Sequence, residues 1–420
     1  MADKFIINGN RDLEGEIEVY GSKNAAGACL SAVLLTREEC IIDNLPMIID
    51  VKNQIEILKS LGANVEYLSE RKVKLKAENL DAIKMDLAKF SKARMSVVLV
   101  GALLARFNHF KFSAPGGDKI GLRPIHIQLK ALEKLGAKIK KEGDVYHVQR
   151  EELKGTEIVL SEFSPTATEA LMLAAVLAKG KTVIKGAASE SSVQDLGRML
   201  LKMGAKIKGN GTHTLEIEGV EALHGCEHQV VSDHLEAGTF IVAGALTRGK
   251  VVVKNIDFDF LDVFLEKLQE IGIVLEKGDN QVTVFHSPAL SSAKVQALPH
   301  PGFPTDLLPM MVTILTRAEG KSLIHDPLYE GRFGYMAELK KMGADIEVVD
   351  PHRAFVFGPK GLQGVNVNSL DVRAGAVLIL AAIMAEGQTI INDVFHIDRG
   401  YEKIEERLQR LGADIKRISA

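Results

Sequence analysis

The sequence predicts an α/β fold of six repeats arranged as two lobes of three. Three observations carry that expectation: a glycine signature that recurs at near-constant spacing, a wholly apolar helix ahead of each copy, and a chain too long for one core. The signature is Leu61-Gly62-Ala63, Leu135-Gly136-Ala137, Met203-Gly204-Ala205, Ile271-Gly272-Ile273, Met342-Gly343-Ala344 and Leu411-Gly412-Ala413, with glycines 74, 68, 68, 71 and 69 residues apart. A glycine just past an amphipathic helix is a left-handed C-cap, and a repeated cap marks a repeated supersecondary unit.

The segment before each glycine is apolar at helical spacing, as at Ile404, Leu408 and Leu411, with Glu, Lys and Arg on the other face. These are outer helices. About forty residues before each glycine lies a segment apolar on every side: 25–35, 95–104, 170–177, 237–246, 307–315 and 374–384. Helices of that kind belong in a protein interior, and these fall short of the roughly 20 residues that cross a bilayer. Polar turns such as Lys179-Gly180-Lys181 and Arg248-Gly249-Lys250 follow, and then β-rich runs at 182–184, 251–253, 322–324 and 389–391. Each unit reads as buried helix, strand, outer helix, strand, with the sheets outside the buried helices. Single cores rarely exceed about 250–300 residues, so six units imply two lobes. The expected boundaries are 23–231 for the first lobe, with a mobile loop at 114–124, and 1–22 with 232–420 for the second.

Apolar residues make up 46% of the chain and charged residues 25%, as in an ordinary globular protein, and the net charge of −3 offers no global attraction for nucleic acid. Cys29, Cys40 and Cys226 have no CxxC or Cys/His spacing, which argues against a disulfide framework and a structural zinc site. The N-terminal residues contain no apolar signal-peptide core, so a cytoplasmic location is expected, with no membrane association.

The starts of the buried helices hold the candidate chemistry. Ser22 precedes Lys23-Asn24 and Ser91 precedes Arg94, whereas Ser232-Asp233, Thr305-Asp306 and Ser369 with Asp371 place carboxylates there. The serines and threonine are N-cap candidates, and acids suit the positive helix end. Lys23 and Arg94 oppose the helix dipole, which leaves two readings: solvated first-turn side chains, or cations held for an anion. The run 115–124, Pro-Gly-Gly-Asp-Lys-Ile-Gly-Leu-Arg-Pro, joins glycines that admit close approach of backbone to phosphate with Arg123, which can grip it bidentately; an ordinary hairpin would also fit. Phe303-Pro304-Thr305-Asp306, Glu330-Gly331-Arg332 and His396-Ile397-Asp398-Arg399-Gly400-Tyr401 are further polar turns with an acid or arginine.

Taken together at these places in a sixfold repeat, the motifs resemble the enolpyruvyl transferase family, over essentially the whole chain, and within it the branch whose acceptor is UDP-N-acetylglucosamine. That resemblance implies a two-lobed inside-out α/β barrel with the active site in the cleft between lobes. It implies transfer of the enolpyruvyl group of phosphoenolpyruvate to the sugar 3′-hydroxyl with release of phosphate, through a tetrahedral ketal. It further implies Lys23, Arg123 and Arg399 on phosphoenolpyruvate, Arg94 and Arg332 in the same electropositive pocket, and Asn24 and Asp306 orienting the sugar, with Asp306 as base. On the same resemblance Ser164, Leu328 and Asp371 are the other expected substrate-binding positions. Asp118 stands where many members carry a cysteine that assists proton transfer; fosfomycin alkylates that thiolate. No metal or cofactor is implied, phosphoenolpyruvate being a co-substrate. The family's Ser-Val-Gly-Ala-Thr is here Ser164-Pro165-Thr166-Ala167-Thr168, Glu162 replaces a lysine of some relatives, and His126 a usual aspartate. Transfer to another nucleotide or sugar, or to shikimate 3-phosphate, and a non-catalytic sugar-nucleotide binding paralogue are the competing readings.

Overall fold

All six signature glycines end an outer helix with a left-handed backbone: φ is +105° at Gly62, +116° at Gly136, +95° at Gly204, +104° at Gly272, +97° at Gly343 and +101° at Gly412. Side chains beyond glycine strain at such angles, so the signature is conformational in origin. The computed structural model describes residues 3–118, 120–121 and 124–419.

The outer helices are Ile49–Ser60, His126–Lys134, Ser191–Lys202, Asp262–Ile271, Gly334–Lys341 and Ile404–Arg410. The apolar segments form Lys23–Ala32, Leu99–Arg106 with its 3-10 lead-in Arg94–Val98, Pro165–Ala175, His234–Ala245, Leu308–Leu315 and Val372–Met384. In Pro165–Ala175, Leu171, Met172 and Leu173 are all fully buried; consecutive residues cover every face of the helix, so apolar character on all sides is what its burial requires.

The chain divides into two units, Gly21–Gly117 with Arg123–Val231, and Met1–Tyr20 with Asp118–Leu122 and Ser232–Ala420. Within the first of these units the Ser22 N–H donates to the Val231 carbonyl at 2.7 Å. Part of the loop at 114–124 groups with the second-half unit: the Gly331 N–H donates to the Ile120 carbonyl at 3.2 Å, and Asp118 pairs with Arg399.

Among the described residues each unit has three sheets. In the second-half unit they run 366–368, 388–392, 4–8, 414–418; then 275–278, 281–284, 251–254, 15–18; then 294–296, 320–325, 353–358, 345–350. In the other unit they run 227–229, 39–43, 73–76, 64–67, then 206–208, 214–218, 181–185, 157–159, and 109–113, 145–150, 137–142. Five of the six share one plan: a parallel pair at one edge and two antiparallel pairings beside it. The parallel strand is the one that leads into the next buried helix. Among the described residues the sheet 109–113, 145–150, 137–142 has no such strand, because the segment leading into Arg94 winds into the short helix Leu87–Phe90 instead. Among the described residues no helix is long and apolar enough to cross a membrane.

Candidate active site

The expected helix caps are only partly the residues that do the capping. Ser22 accepts from Ala25 N–H and Ser164 from Ala167 N–H, both at 3.4 Å. At the acidic starts the aspartates cap: Asp233 accepts from Leu235 and Glu236, and Asp371 from Arg373 and Ala374 at 2.8 and 2.9 Å. Serine and aspartate are about equally good caps, and at these starts the aspartate is the residue with extended backbone just before the first helical turn. Ser91 instead closes the preceding short helix, donating to the Ala88 carbonyl at 3.0 Å, and Thr305 donates to Asp326 at 2.7 Å.

In the second-half unit, Asp306 lies in the 3-10 turn Thr305–Leu307 that leads into a buried helix. Arg332 Nη2 donates to its Oδ1, and Arg373 Nε to its Oδ2 at 3.0 Å. Both arginines are buried, while the Asp306 side chain keeps 29% of its exposure and stays reachable. Burial opposes the charge on Arg332, but Asp306, Tyr329, Asp371 and Asp326 outweigh it, so its pKa rises above the usual guanidinium value. Arg373 is likewise held firmly charged against its burial, by Tyr401, Asp306 and Asp233. It also donates to Tyr401 Oη at 2.8 Å, and that hydroxyl contacts Thr239 Oγ1 at 2.8 Å, which fixes the guanidinium from its far side.

Asp326, fully buried, orders the adjoining turn by accepting from the backbone of Leu328 at 2.9 Å and Tyr329 at 3.3 Å. Leu328 is thereby presented to solvent. Burial raises the pKa of Asp371 above the usual carboxylate value against the pull of its helix-start hydrogen bonds. Arg399 Nη1 donates to Asp118 Oδ1 at 2.8 Å, with both side chains largely shielded.

In the other unit, Lys23 opens its buried helix against the dipole, and Asp50 stands 3.5 Å from its Nζ as a buried counter-charge. Asn24 beside it is exposed. Arg94 reaches the Pro124 carbonyl at 3.5 Å, and an added Cβ on Gly117, at φ +120°, would come within 2.9 Å of the Arg94 Cβ. Ser164 caps a helix whose first residue is Pro165. Arg123 lies outside the described residues.

Three residues absent from the sequence reading thus hold candidate side chains within their own units: Arg373 and Asp326 in the second-half unit, and Asp50 in the other. An arginine two residues past a capping aspartate in an otherwise apolar helix was the available signal for the first. The other two sit in ordinary surroundings and are revealed only by their partners.

Residues 7–408 match the family model EPSP synthase (3-phosphoshikimate 1-carboxyvinyltransferase), and the chain belongs to this enolpyruvyl transferase family. Among its relatives are proteins named UDP-N-acetylglucosamine 1-carboxyvinyltransferase. That of Koribacter versatilis is 43% identical, covering 99% of this chain and 96% of its own. That of Halothermothrix orenii is 42% identical, covering 99% of both. The fold is that of the solved enolpyruvyl transferase NikO from Streptomyces tendae, with a TM-score of 0.92 at 24% identity over 100% of this chain and 99% of that one. EPSP synthase from Acinetobacter baumannii shares it at a TM-score of 0.76 and 19% identity, over the full length of both.

Proposed function

We propose that this chain transfers the enolpyruvyl group of phosphoenolpyruvate to the 3′-hydroxyl of UDP-N-acetylglucosamine and releases phosphate, the first committed step of peptidoglycan synthesis. The observation that carries the reading is Asp306: a partly exposed carboxylate at a buried helix start, gripped by two buried arginines, in a chain 43% identical over its length to a protein named for that reaction.

The chemistry needs a proton delivered to the methylene carbon of phosphoenolpyruvate, a proton taken from the sugar hydroxyl, and fixed cations for phosphate and carboxylate. In our reading Lys23, Arg94, Arg123, Arg332 and Arg399 supply the cations. Asp118 gives the methylene its proton. An incoming anion competes for Arg399, the present partner of Asp118, and so frees that carboxyl for the transfer. Asp306 removes the hydroxyl proton as the sugar oxygen bonds to C2 of the protonated phosphoenolpyruvate and forms the tetrahedral ketal; Arg373 keeps it aimed while Arg332 turns to substrate. Loss of phosphate from the tetrahedral ketal with return of a methyl proton completes the exchange. Asn24, Ser164, Leu328 and Asp371 hold the sugar nucleotide. The same reading has the enzyme working in the cytoplasm on small molecules alone, without nucleic acid, membrane or cofactor.

The test is phosphate release from phosphoenolpyruvate with UDP-N-acetylglucosamine, shikimate 3-phosphate and other sugar nucleotides in turn, after dialysis against chelator. Release with the first acceptor, unchanged by added Mg²⁺, is expected. Release with only another acceptor, or turnover that requires Mg²⁺, overturns the assignment.

A further inference from the structure

The cysteines show no metal-binding spacing in the sequence, yet the fold gathers one of them with two other donors inside the unit that contains residues 21–117. Cys29 on the helix Lys23–Ala32, Asp195 on the helix Ser191–Lys202 and His228 on the strand Glu227–Gln229 bring a sulfur, a carboxylate oxygen and an imidazole nitrogen within 4.8 Å of one another. Cys29 Sγ donates to Asp195 Oδ2 at 3.7 Å, and His228 Nε2 lies 3.2 Å from Asp195 Oδ1. Cys29, Asp195 and His228 are 0%, 1% and 2% exposed.

A second observation points to a ligand. Among the described residues, neither ring nitrogen of His228 makes a hydrogen bond, although the ring is buried and Nε2 lies 3.2 Å from Asp195 Oδ1. Buried polar groups are almost always satisfied, and an imidazole that faces a carboxylate without hydrogen-bonding it is an exception that calls for a specific cause, a bound ion between them being one. Thiolate, imidazole and one carboxylate form a mixed set suited to a borderline-soft divalent ion, and a poor one for Mg²⁺ or Ca²⁺, which take oxygen. Three protein ligands are also the number found in zinc sites that keep one position for a non-protein ligand.

We propose that Cys29, Asp195 and His228 form a binding site for a zinc-class divalent cation. On binding, the Cys29 S–H proton passes to solvent, the sulfur lone pair forms the metal bond, and Asp195 exchanges its thiol hydrogen bond for a bond to the ion; nothing is oxidised or reduced. Thiolate and carboxylate together neutralise the two positive charges. Arg198, which reaches Asp195 Oδ1 at 3.3 Å, is the local competitor, and its half-exposed side chain can withdraw to water.

The site is tied to the start of the helix that bears Lys23. Asp195 Oδ2 also accepts from Val231 N–H at 3.1 Å, and the Val231 carbonyl accepts from the N–H of Ser22, the residue that caps that helix. Cys29 sits six residues past Lys23 on the same helix. The cation is therefore a structural pin for that helix, separate from the reaction's own charges, and the inference does not depend on the proposed substrate.

The experiment uses the untagged full chain, stripped by chelator and titrated with Zn²⁺ against a chromophoric competitor, and in parallel with Co²⁺. One equivalent is expected, with near-ultraviolet sulfur-to-cobalt charge-transfer absorption. Cys29→Ser and His228→Gln should each weaken binding at least tenfold, while Cys40→Ser and Cys226→Ser leave it within twofold. Zn²⁺ should also raise the thermal midpoint of the wild type and not of the two weakened variants. Circular dichroism checks that the variants fold; if Cys29→Ser does not, the wild-type cobalt spectrum decides. Binding below a tenth of an equivalent, a cobalt spectrum without the thiolate band, or equal affinity in every variant overturns the proposal.

Discussion

Arg373 Nε lies 3.0 Å from Asp306 Oδ2, and the two residues are 67 positions apart in the chain. Because Arg332 takes the other carboxylate oxygen, Asp306 is clamped at both, and its orientation depends on the Tyr401 hydroxyl that steadies Arg373 from behind. Arg373→Lys keeps the charge but cannot bond Asp306 and Tyr401 at once. We expect it to lower kcat at least tenfold with a smaller change in the Michaelis constant for phosphoenolpyruvate. Arg373→Met should also cost on the order of 1 kcal/mol of stability, since Asp306 loses one of its two arginine partners while Arg332 and solvent still meet its charge. Steady-state kinetics and denaturant melts of both variants check this; wild-type kcat in the lysine variant would contradict the clamp.

Asp118 yields a second expectation. In the proposed mechanism its carboxyl carries a proton that an amide cannot carry, so Asp118→Asn should lose most turnover and Asp118→Cys should retain it. A carboxylate is a weak nucleophile toward the fosfomycin epoxide. The wild type should therefore resist the drug and the cysteine variant should form a covalent adduct, both read by intact-protein mass spectrometry. An adduct on wild-type protein would refute the assignment.

Pro165, first residue of the helix capped by Ser164, removes one backbone donor from a helix start. A hydrogen bond to a charged oxygen contributes roughly 1.5–3 kcal/mol, so Pro165→Val should tighten sugar-nucleotide binding by about ten- to a hundredfold if the nucleotide's diphosphate meets that end. Calorimetric titration measures it, and an unchanged dissociation constant would show that the diphosphate lies elsewhere.

Glu169 is buried, and that burial, helped by Glu190 and opposed by a hydrogen bond from Ser192, lifts its pKa from an ordinary carboxylate value to about 8. With the folded-state pKa raised, the folded protein holds this proton while the unfolded chain has lost it. The associated stability is complete below about pH 4.5 and drains away as pH climbs to about 8. Glu169→Gln keeps the acceptor for Ser192 and has no proton to lose. Its stability relative to wild type should grow between pH 5 and pH 8 by on the order of 2–4 kcal/mol, followed by urea melts. A gap constant with pH would mean that Glu169 is ionised in the fold.

The periodic part of the fold was legible because it rests on local rules. The six cap glycines and the six apolar helices each follow from residues within one or two turns of one another. Candidate residues such as Lys23, Asp118 and Asp306 were legible because helix starts and glycine turns mark themselves. What stayed hidden is pairing across long separations. Arg373 meets Asp306 over 67 residues, and Cys29 meets Asp195 over 166, distances no local pattern encodes. The capping errors have a different cause: in Ser232-Asp233, adjacent residues offer equally good acceptors, and only the backbone angle, extended at Asp233, decides which one caps.

The strand Lys4–Asn8 lies between Gln388–Asn392 and Asp414–Ile418 and pairs with both. A ribosome therefore makes the middle of this sheet first and its two neighbours last. Until Gln388–Asn392 emerges those residues, with Phe5 and Ile7 destined for full burial, have no sheet to join. The unit that runs from Gly21 to Val231 can complete its own sheets meanwhile, since all their strands have emerged by Gln229. The nascent chain thus carries a finished half and an unpaired hydrophobic strand at once. That interval is when it is most exposed to aggregation or to chaperone capture, and a truncation that removed Asp414–Ile418 would leave one side of that strand unpaired for good.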